Sequence, residues 1–373
     1  MDINKTLAVE FGLKQEHVDN TVALIDDDKT IPFIARYRKE LTGSLDDQVL
    51  RELYDRLMYL RNLEKRKEEI TNAITEQEKM TPEIEAAISA ASTLVEVEDI
   101  YRPFRPKRKT RASVAKAKGL APLADEILLS QKSELIPLEM AAKYVDAEKG
   151  VETAEDALQG ALDIIAETVS DNAEVRKRVR NIVFLNGVLT SSAAKDESGV
   201  YDMYYEFSQP LSKIAGHRVL AVNRGEKEGF LKVSIDIDDT LPLNAINKLY
   251  VQGSSPCAEA VKAACADSYS RLIFPSIERE IRSDLTDTAC TAAIKVFGVN
   301  LRQLLLGAPV KGKVAIGLDP GYRTGCKLAV VDATGKVLDT SVIYPTHGEA
   351  QEKRSKQILK SMIERYGVEI IAI

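Results

Sequence analysis

Residues 46–79, DDQVLRELYDRLMYLRNLEKRKEEITNAITEQEK, set the class of this chain. Leu50, Leu53, Leu57, Leu60, Leu63, Ile70 and Ile74 hold one face at helical spacing, and neither Gly nor Pro intervenes. That pattern predicts a long amphipathic α-helix from Asp46 to about Lys79. Toward the N-terminus, Val18, Val22 and Ile25 recur at the same spacing, and Thr30 stands two residues ahead of Pro32, as a helix start does. Two short helices are expected there, over residues 3–26 and 30–40, with Gly43 ending the second. On the other side, Thr81-Pro82 opens a helix with Ile84, Ala87 and Ile88 on one side. A Pro- and Arg-rich segment, Tyr101 to Arg111, then breaks the pattern, and helices resume from Ala121 to roughly Asn186.

Between Arg218 and Ile237 apolar and polar residues alternate around Arg224-Gly225-Glu226, which predicts a small β-hairpin insertion near 218–237. Ser255-Pro256 and Phe274-Pro275 each open a helix, and helix ends at Gly298 and Gly307 are expected to frame a last short one. Gly307-Ala308-Pro309 is the best boundary. Beyond it, Lys313–Asp319, Cys326–Asp332 and Lys336–Tyr344 read as strands separated by Gly-bearing turns, followed by a helix from about Glu349 to Tyr366 and a strand from Val368. The order β-β-β-α-β is that of the first half of an RNase H-like domain. The fold class is therefore mainly α with a small β-hairpin insertion, and a C-terminal partial α/β domain. Its expected divisions are 1–190, 191–308 and 309–373, the last truncated because the apolar run Glu369–Ile373 reads as a buried parallel strand that needs neighbours.

With 373 residues and 45% hydrophobic content, the chain can bury a core in each of two or three domains. No leader-like N-terminus and no membrane-spanning stretch is present, so a cytoplasmic protein without membrane contact is expected. Cys257, Cys265, Cys290 and Cys326 are widely spaced and none stands in metal-ligand spacing with His17, His217 or His347. Reduced thiols, no structural metal and no cofactor are expected, and a monomer is favoured. A formal net charge of -6 confines any nucleic-acid binding to local concentrations of Lys and Arg.

Three stretches could carry chemistry. In Gly317-Leu318-Asp319-Pro320-Gly321 one carboxylate closes a strand before a glycine turn, where nucleases of the RNase H class place a first Mg²⁺ ligand. One carboxylate is not a site, and Asp319 is as readily explained by capping the turn through backbone N–H groups at Gly321 or Tyr322. No catalytic residue is assigned beyond this degenerate candidate. Arg102, Arg105, Lys107, Arg108, Lys109 and Arg111, with Lys116 and Lys118 beyond, form a run free of acids, interleaved with Tyr101 and Phe104. Prolines 103 and 106 are expected to hold it extended, with phosphates as counter-charge; the competing explanation is pairing with Glu96, Glu98 and Asp99. Ile31–Glu40 suggests a helix-turn-helix with Arg36, Arg38 and Lys39 outward, or a packed helical hairpin with ordinary surface cations.

Thr30–Glu40, Tyr101–Arg111, Phe274–Arg282 with its Ser276-Ile277-Glu278-Arg279-Glu280, Ala293–Leu306 and Gly317–Asp332 together resemble the bacterial Tex family in order and spacing. The resemblance covers essentially the whole chain. It implies an N-terminal helical region containing a helix-turn-helix within about residues 1–70, a central helical region, and the start of a YqgF or RNase H-like domain that has lost nuclease activity. It also implies a transcription accessory factor: a non-catalytic scaffold binding RNA or DNA, with transcription machinery as a further partner. Two rival functions remain open at the level of sequence, a metal-dependent nuclease of the Holliday-junction-resolvase type and a protein-docking scaffold for transcription machinery. Complete members go on to helix-hairpin-helix motifs and an OB-fold, which this sequence does not include.

Overall fold

The computed structural model describes residues 2–106, 109–195, 199–308 and 310–373. They divide into two units, Met1–Ala293 and Ile294–Ile373. The first begins with α1 (Ile3–Phe11), α2 (Gln15–Asp26), α3 (Ile31–Tyr37) and α4 (Lys39–Thr42). The single helix expected over 3–26 is thus two, because Gly12 takes a left-handed conformation (φ 63°) and its N–H closes α1 on the carbonyls of Ala8 and Val9. The second expected helix is likewise split, at Arg38.

The long helix is present as α5 (Asp47–Glu76), started by the Asp46 carboxylate accepting from Val49 N–H. All seven apolar residues of its stripe are 2% exposed or less. Burial of each such side chain stabilises the fold by about 1.5–3 kcal/mol. Leu53, Leu57 and Leu60 pack with Leu7, Val18 and Val22 of α1 and α2. Leu63, Ile70 and Ile74 pack instead with Ile88 of α6 (Pro82–Ala90) and Val97 of α7 (Leu94–Tyr101). Lys67 lies on the same buried stripe, and its ammonium donates to Ser89 O at 3.1 Å and contacts Glu64 at 3.0 Å.

A larger core gathers α8 (Arg111–Ala117), α9 (Ala121–Leu129), α10 (Pro137–Ala141), α11 (Ala154–Asp171) and α12 (Ala173–Asn186). It continues through β1 (Val188–Ala193), β2 (Glu206–Pro210), α13 (Gly216–Lys227), β3 (Leu231–Asp236), α14 (Thr240–Tyr250), α15 (Pro256–Asp267) and α16 (Phe274–Leu305). The hairpin expected at 218–237 is not formed. Residues 216–227 are helical, burying Val219, Val222 and Gly225 at three-residue spacing, and only β3 is a strand. Gly225 is a packing residue rather than a turn: a Cβ there would meet Leu231 Cδ1 at 2.6 Å and Tyr201 Cδ1 at 3.1 Å. The partner of β3 is β1, antiparallel with Val188 opposite Asp236, in a three-stranded sheet of order β2-β1-β3. Nor does a helix end at Gly298. α16 runs unbroken past it, since nothing crowds the position and a helical glycine costs only about 1 kcal/mol.

The second unit contains β4 (Ala315–Asp319), β5 (Cys326–Val331), β6 (Val337–Ile343), α17 (Glu349–Tyr366) and β7 (Ile370–Ala372), the β-β-β-α-β order expected. The sheet order is β6-β5-β4-β7, antiparallel except for β4 with β7. Ile316, Leu328, Val330 and Ile343 point to one face, where Met362, Ile358, Leu359 and Ile363 of α17 cover them. Among the described residues the four cysteines are unpaired, and no helix is long and apolar enough to cross a membrane.

Candidate nucleic-acid interface

The basic run starts where α7 stops. Thr93 caps that helix by accepting from Glu96 N–H, and at the other end the N–H groups of Phe104 and Arg105 both return to Tyr101 O, at 2.9 and 3.1 Å. Residues 102–105 therefore form a turn rather than the extended segment expected. Pro103 permits this because its fixed φ suits a helical turn and its missing N–H is not needed there. Tyr101 and Phe104 are half-buried against the Ile70–Val97 core, with Arg66 5.7 Å above the Tyr101 ring. These two aromatics serve packing. Thr110 then caps α8 in a reciprocal pair with Ser113.

The acids proposed to neutralise the run are engaged elsewhere. Glu96 pairs with Lys177 at 2.8 Å, Glu98 with Arg66 at 2.6 Å, and Asp99 with both Arg176 and Arg180 at 2.6 Å. The Lys177 ammonium, helped by the Ser92 N–H, holds the Glu96 carboxyl down at about 2. Within the run, Arg102 faces Asp171 at 3.6 Å, Lys116 faces Glu167 at 3.7 Å, and Lys118 donates to Gly150 O at 2.6 Å. Arg105, Lys109 and Arg111 are exposed and make no ion pair among the described residues. Lys107 and Arg108 lie outside the described residues.

In the N-terminal candidate, Arg36 and Lys39 are exposed and Arg38 is half-buried. Arg38 stacks 5.3 Å over the Phe33 ring and donates to Tyr37 O at 2.9 Å, and Arg36 lies 6.0 Å from the Tyr37 ring centre. None of the three is paired with a carboxylate among the described residues.

Sequence reading missed the polar centre behind the run. Arg176 and Arg180, one turn apart on α12, reach Asp99 of α7, while Arg180 Nε also bonds Glu280 of α16 and Arg176 Nη2 bonds Ser276 Oγ at 3.2 Å. Arg176 is only 2% exposed. Next to it opens a cavity of about 590 Å³, with Arg102, Arg105 and Arg176 in its walls. Burial lowers the affinity of Arg102 for its proton, and the neighbouring Arg176 charge lowers it further. The only hint in the sequence was Arg-x-x-x-Arg at 176–180 on an otherwise apolar helix face, and its partners are about 80 and 100 residues away.

In the second unit Asp319 ends β4, exposed, beside a concavity of about 900 Å³ on the sheet face away from α17. Its carboxylate accepts no hydrogen bond among the described residues, so the turn-capping role is not seen there. Asp332 does cap its own turn, accepting from Thr334 N at 2.8 Å and Lys336 N at 3.0 Å. Parallel to β4, β7 offers Ile370, Ile371 and Ala372, and no cluster of three His, Cys, Asp or Glu suited to a metal occurs among the described residues.

Comparison with known proteins bears on all three regions. A family model described as a Tex-like protein N-terminal domain matches residues 1–75, one described as Tex central region-like matches 132–297, and a Tex protein YqgF-like domain matches 313–373. The chain is 46% identical to protein YdcI of Bacillus subtilis over 377 residues, covering 100% of this chain and 52% of that protein. It is 39% identical to Protein tex of Bordetella pertussis, covering 98% and 48% of the two. With Transcriptional accessory protein Tex of Neisseria gonorrhoeae the identity is 37%, over 100% of this chain and 49% of that protein. The chain spans about half the length of the curated relatives it matches. With consecutive matches to the N-terminal, central and YqgF-like models on a helical body followed by a β-β-β-α-β domain, the chain belongs to the Tex family.

Proposed function

We propose that this chain is the helical scaffold of a cytoplasmic transcription accessory factor and engages RNA or DNA through its phosphates. The observation that carries the reading is the exposure of Arg105, Lys109 and Arg111 without carboxylate partners among the described residues, while Glu96, Glu98 and Asp99 are held by other cations. Cations left to solvent on one segment are the electrostatic footprint of a phosphate-contacting surface. The names of the relatives from Bordetella and Neisseria support the transcriptional setting. Arg36 in the last turn of α3, with Arg38 and Lys39 directly after it, forms a second, smaller contact surface in a helix-turn-helix arrangement. The test is fluorescence anisotropy of labelled single-stranded RNA and duplex DNA at several salt concentrations, beside the variant Lys109→Glu/Arg111→Glu. Loss of salt-sensitive binding in the variant supports the reading; unchanged binding rejects it.

We further propose a non-catalytic role. Support comes from the absence, among the described residues, of any cluster of three His, Cys, Asp or Glu suited to a metal, since in-line phosphodiester chemistry needs metals held by several carboxylates.

A further inference from the structure

Two loops at one end of the second unit bring three rings together. Between β4 and β5 the chain turns through Pro320-Gly321-Tyr322-Arg323-Thr324-Gly325, and between β6 and α17 it passes from Tyr344 to His347. The loops are neighbours because Cys326, which starts β5, pairs with Ile343, which ends β6. His347 stands edge-on to Tyr344, with ring centres 5.3 Å apart at 84°, and Tyr322 lies 6.2 Å from His347 at 39°. Aromatic residues make up only 6% of the chain, yet two tyrosines and one of its three histidines meet here.

Glycines fix the row in place. A Cβ on Gly321 would meet Gly325 O at 2.5 Å, and one on Gly325, whose φ is +81°, would meet Tyr344 Cε1 at 2.6 Å. The turn is thus closed on itself, with the Tyr344 ring seated against Gly325. Tyr344 N–H donates to the buried Ser355 hydroxyl at 3.1 Å, which ties the second loop to α17. The closed turn holds Tyr322 outward, 78% exposed, with Arg323 and Thr324 exposed beside it. A ring left this far in water gains little from burial, so packing does not account for its placement.

At 6.2 Å, Tyr322 and His347 are a loose pair, toward the outer end of the range of about 4.5–7 Å over which rings interact. Bases succeed one another at about 3.4 Å along a strand, so a base held between two rings needs about 6.8 Å. A slight outward turn of the exposed Tyr322 opens that space. Charge at this end is close to balanced. Arg323 and Lys327 are exposed and make no ion pair among the described residues, Asp319 and Glu349 are exposed acids, and Glu352 is paired with Lys356 at 2.7 Å. Affinity at such a site comes from ring stacking more than from counter-charge.

We propose that Tyr322 and His347 form a stacking site for one unpaired base of a single-stranded nucleic acid, with Arg323 available to the adjoining phosphate. The site is separate from the basic run of the first unit and does not rest on phosphate contact there. Duplex DNA, whose bases are already stacked and paired, does not fill it.

The experiment is fluorescence anisotropy of a short labelled oligouridine and of an abasic strand of the same length and charge. Both are titrated with the full chain and with Tyr322→Ala, Tyr322→Phe, His347→Ala and Lys109→Glu/Arg111→Glu. The wild type is expected to prefer the oligouridine about tenfold, the order that one stacked base supplies. That preference should survive in Tyr322→Phe, disappear in Tyr322→Ala and change little with salt. Tyr322 buries little, so its alanine variant keeps the fold, checked by circular dichroism, and His347→Ala reads the site from its other ring. A preference lost in Tyr322→Ala but unchanged in Lys109→Glu/Arg111→Glu supports the stacking site whether or not the basic run contacts phosphate. Equal binding of the two strands by the wild type overturns the stacking site and leaves the phosphate reading standing. A preference that survives both alanine variants also overturns it, and binding of neither strand by folded protein rejects both readings.

Discussion

Arg176 Nε lies 2.6 Å from Asp99 Oδ1, a buried contact between side chains 77 residues apart in sequence. It ties α12 to α7, and Arg180 extends the tie to Glu280 of α16. Three helices from distant parts of the chain are thereby fixed behind the basic run. Removing one partner of such a pair leaves a charge buried without compensation. Asp99→Ala is therefore expected to lower unfolding stability by about 3–5 kcal/mol, read as a shift in the urea midpoint at unchanged slope. A change in the range of an exposed ion pair, about 0–1 kcal/mol, would show that the network does not hold these helices.

Glycine 225 yields a second expectation. A methyl group there points at Leu231 Cδ1 and Cγ, 2.6 and 2.9 Å away, and Leu231 is itself buried. Gly225→Ala should cost about 1–3 kcal/mol through overpacking, despite adding helix propensity. If α13 instead unfolded into a hairpin, as its sequence suggested, the same substitution would be nearly neutral. Thermal unfolding of the variant separates the two.

That contrast shows what the residues disclose by themselves. The stripe on α5 and the meander β4–β6 are local: leucines three and four apart, or alternating apolar residues between glycine turns, state their own conformation. Strand β1 is not local. Its sequence, Val188-Leu189-Thr190-Ser191-Ser192-Ala193, carries little β signal, and it becomes a strand because Val188 meets both Pro210 and Asp236. Likewise, the cations of 102–118 are visible as a run, but which of them are neutralised is decided by Glu167 and Asp171 on α11. The alternation of Val219, Ala221 and the residues after Leu231 was coincidental, because one part is helix face and the other is strand.

Glu96 makes the stability of the first unit depend on pH. Its carboxyl is lowered from an ordinary 4.5 to about 2, chiefly by Lys177 and then by the Ser92 N–H. A group depressed in the folded state stabilises it above the unfolded value, and that contribution disappears as pH falls through the folded value. The stability difference between wild type and Glu96→Gln should be constant from pH 7 down to about 5 and vanish between 4.5 and about 2. Urea titrations across that window provide the measurement. A difference that persists undiminished at pH 2 would contradict the assignment to this carboxylate.

Asp319 supplies a test of the non-catalytic reading. If the second unit carries no nuclease centre, Mg²⁺ should leave its melting temperature unchanged, and labelled RNA and DNA should remain intact on prolonged incubation. Cleavage that depends on Mg²⁺ and is lost in Asp319→Asn would restore the nuclease alternative.

The salt dependence of binding provides the most direct count of phosphate contacts. Each cation that neutralises a phosphate releases counterions, changing the slope of log K against log salt by about 0.7 on a single strand and about 0.9 on duplex DNA. Lys109→Ala/Arg111→Ala removes two exposed cations that make no ion pair among the described residues, so the slope should flatten by about 1.4 on single-stranded RNA or about 1.8 on duplex DNA. Lys116→Ala, by contrast, removes a cation that faces Glu167 at 3.7 Å and should change the slope little. A flattening in the double variant alone assigns phosphate contact to the start of α8, and its size on each nucleic acid reports which one the surface tracks. Equal flattening in both variants would mean that the Glu167 pair opens on binding and that the whole run contacts the strand.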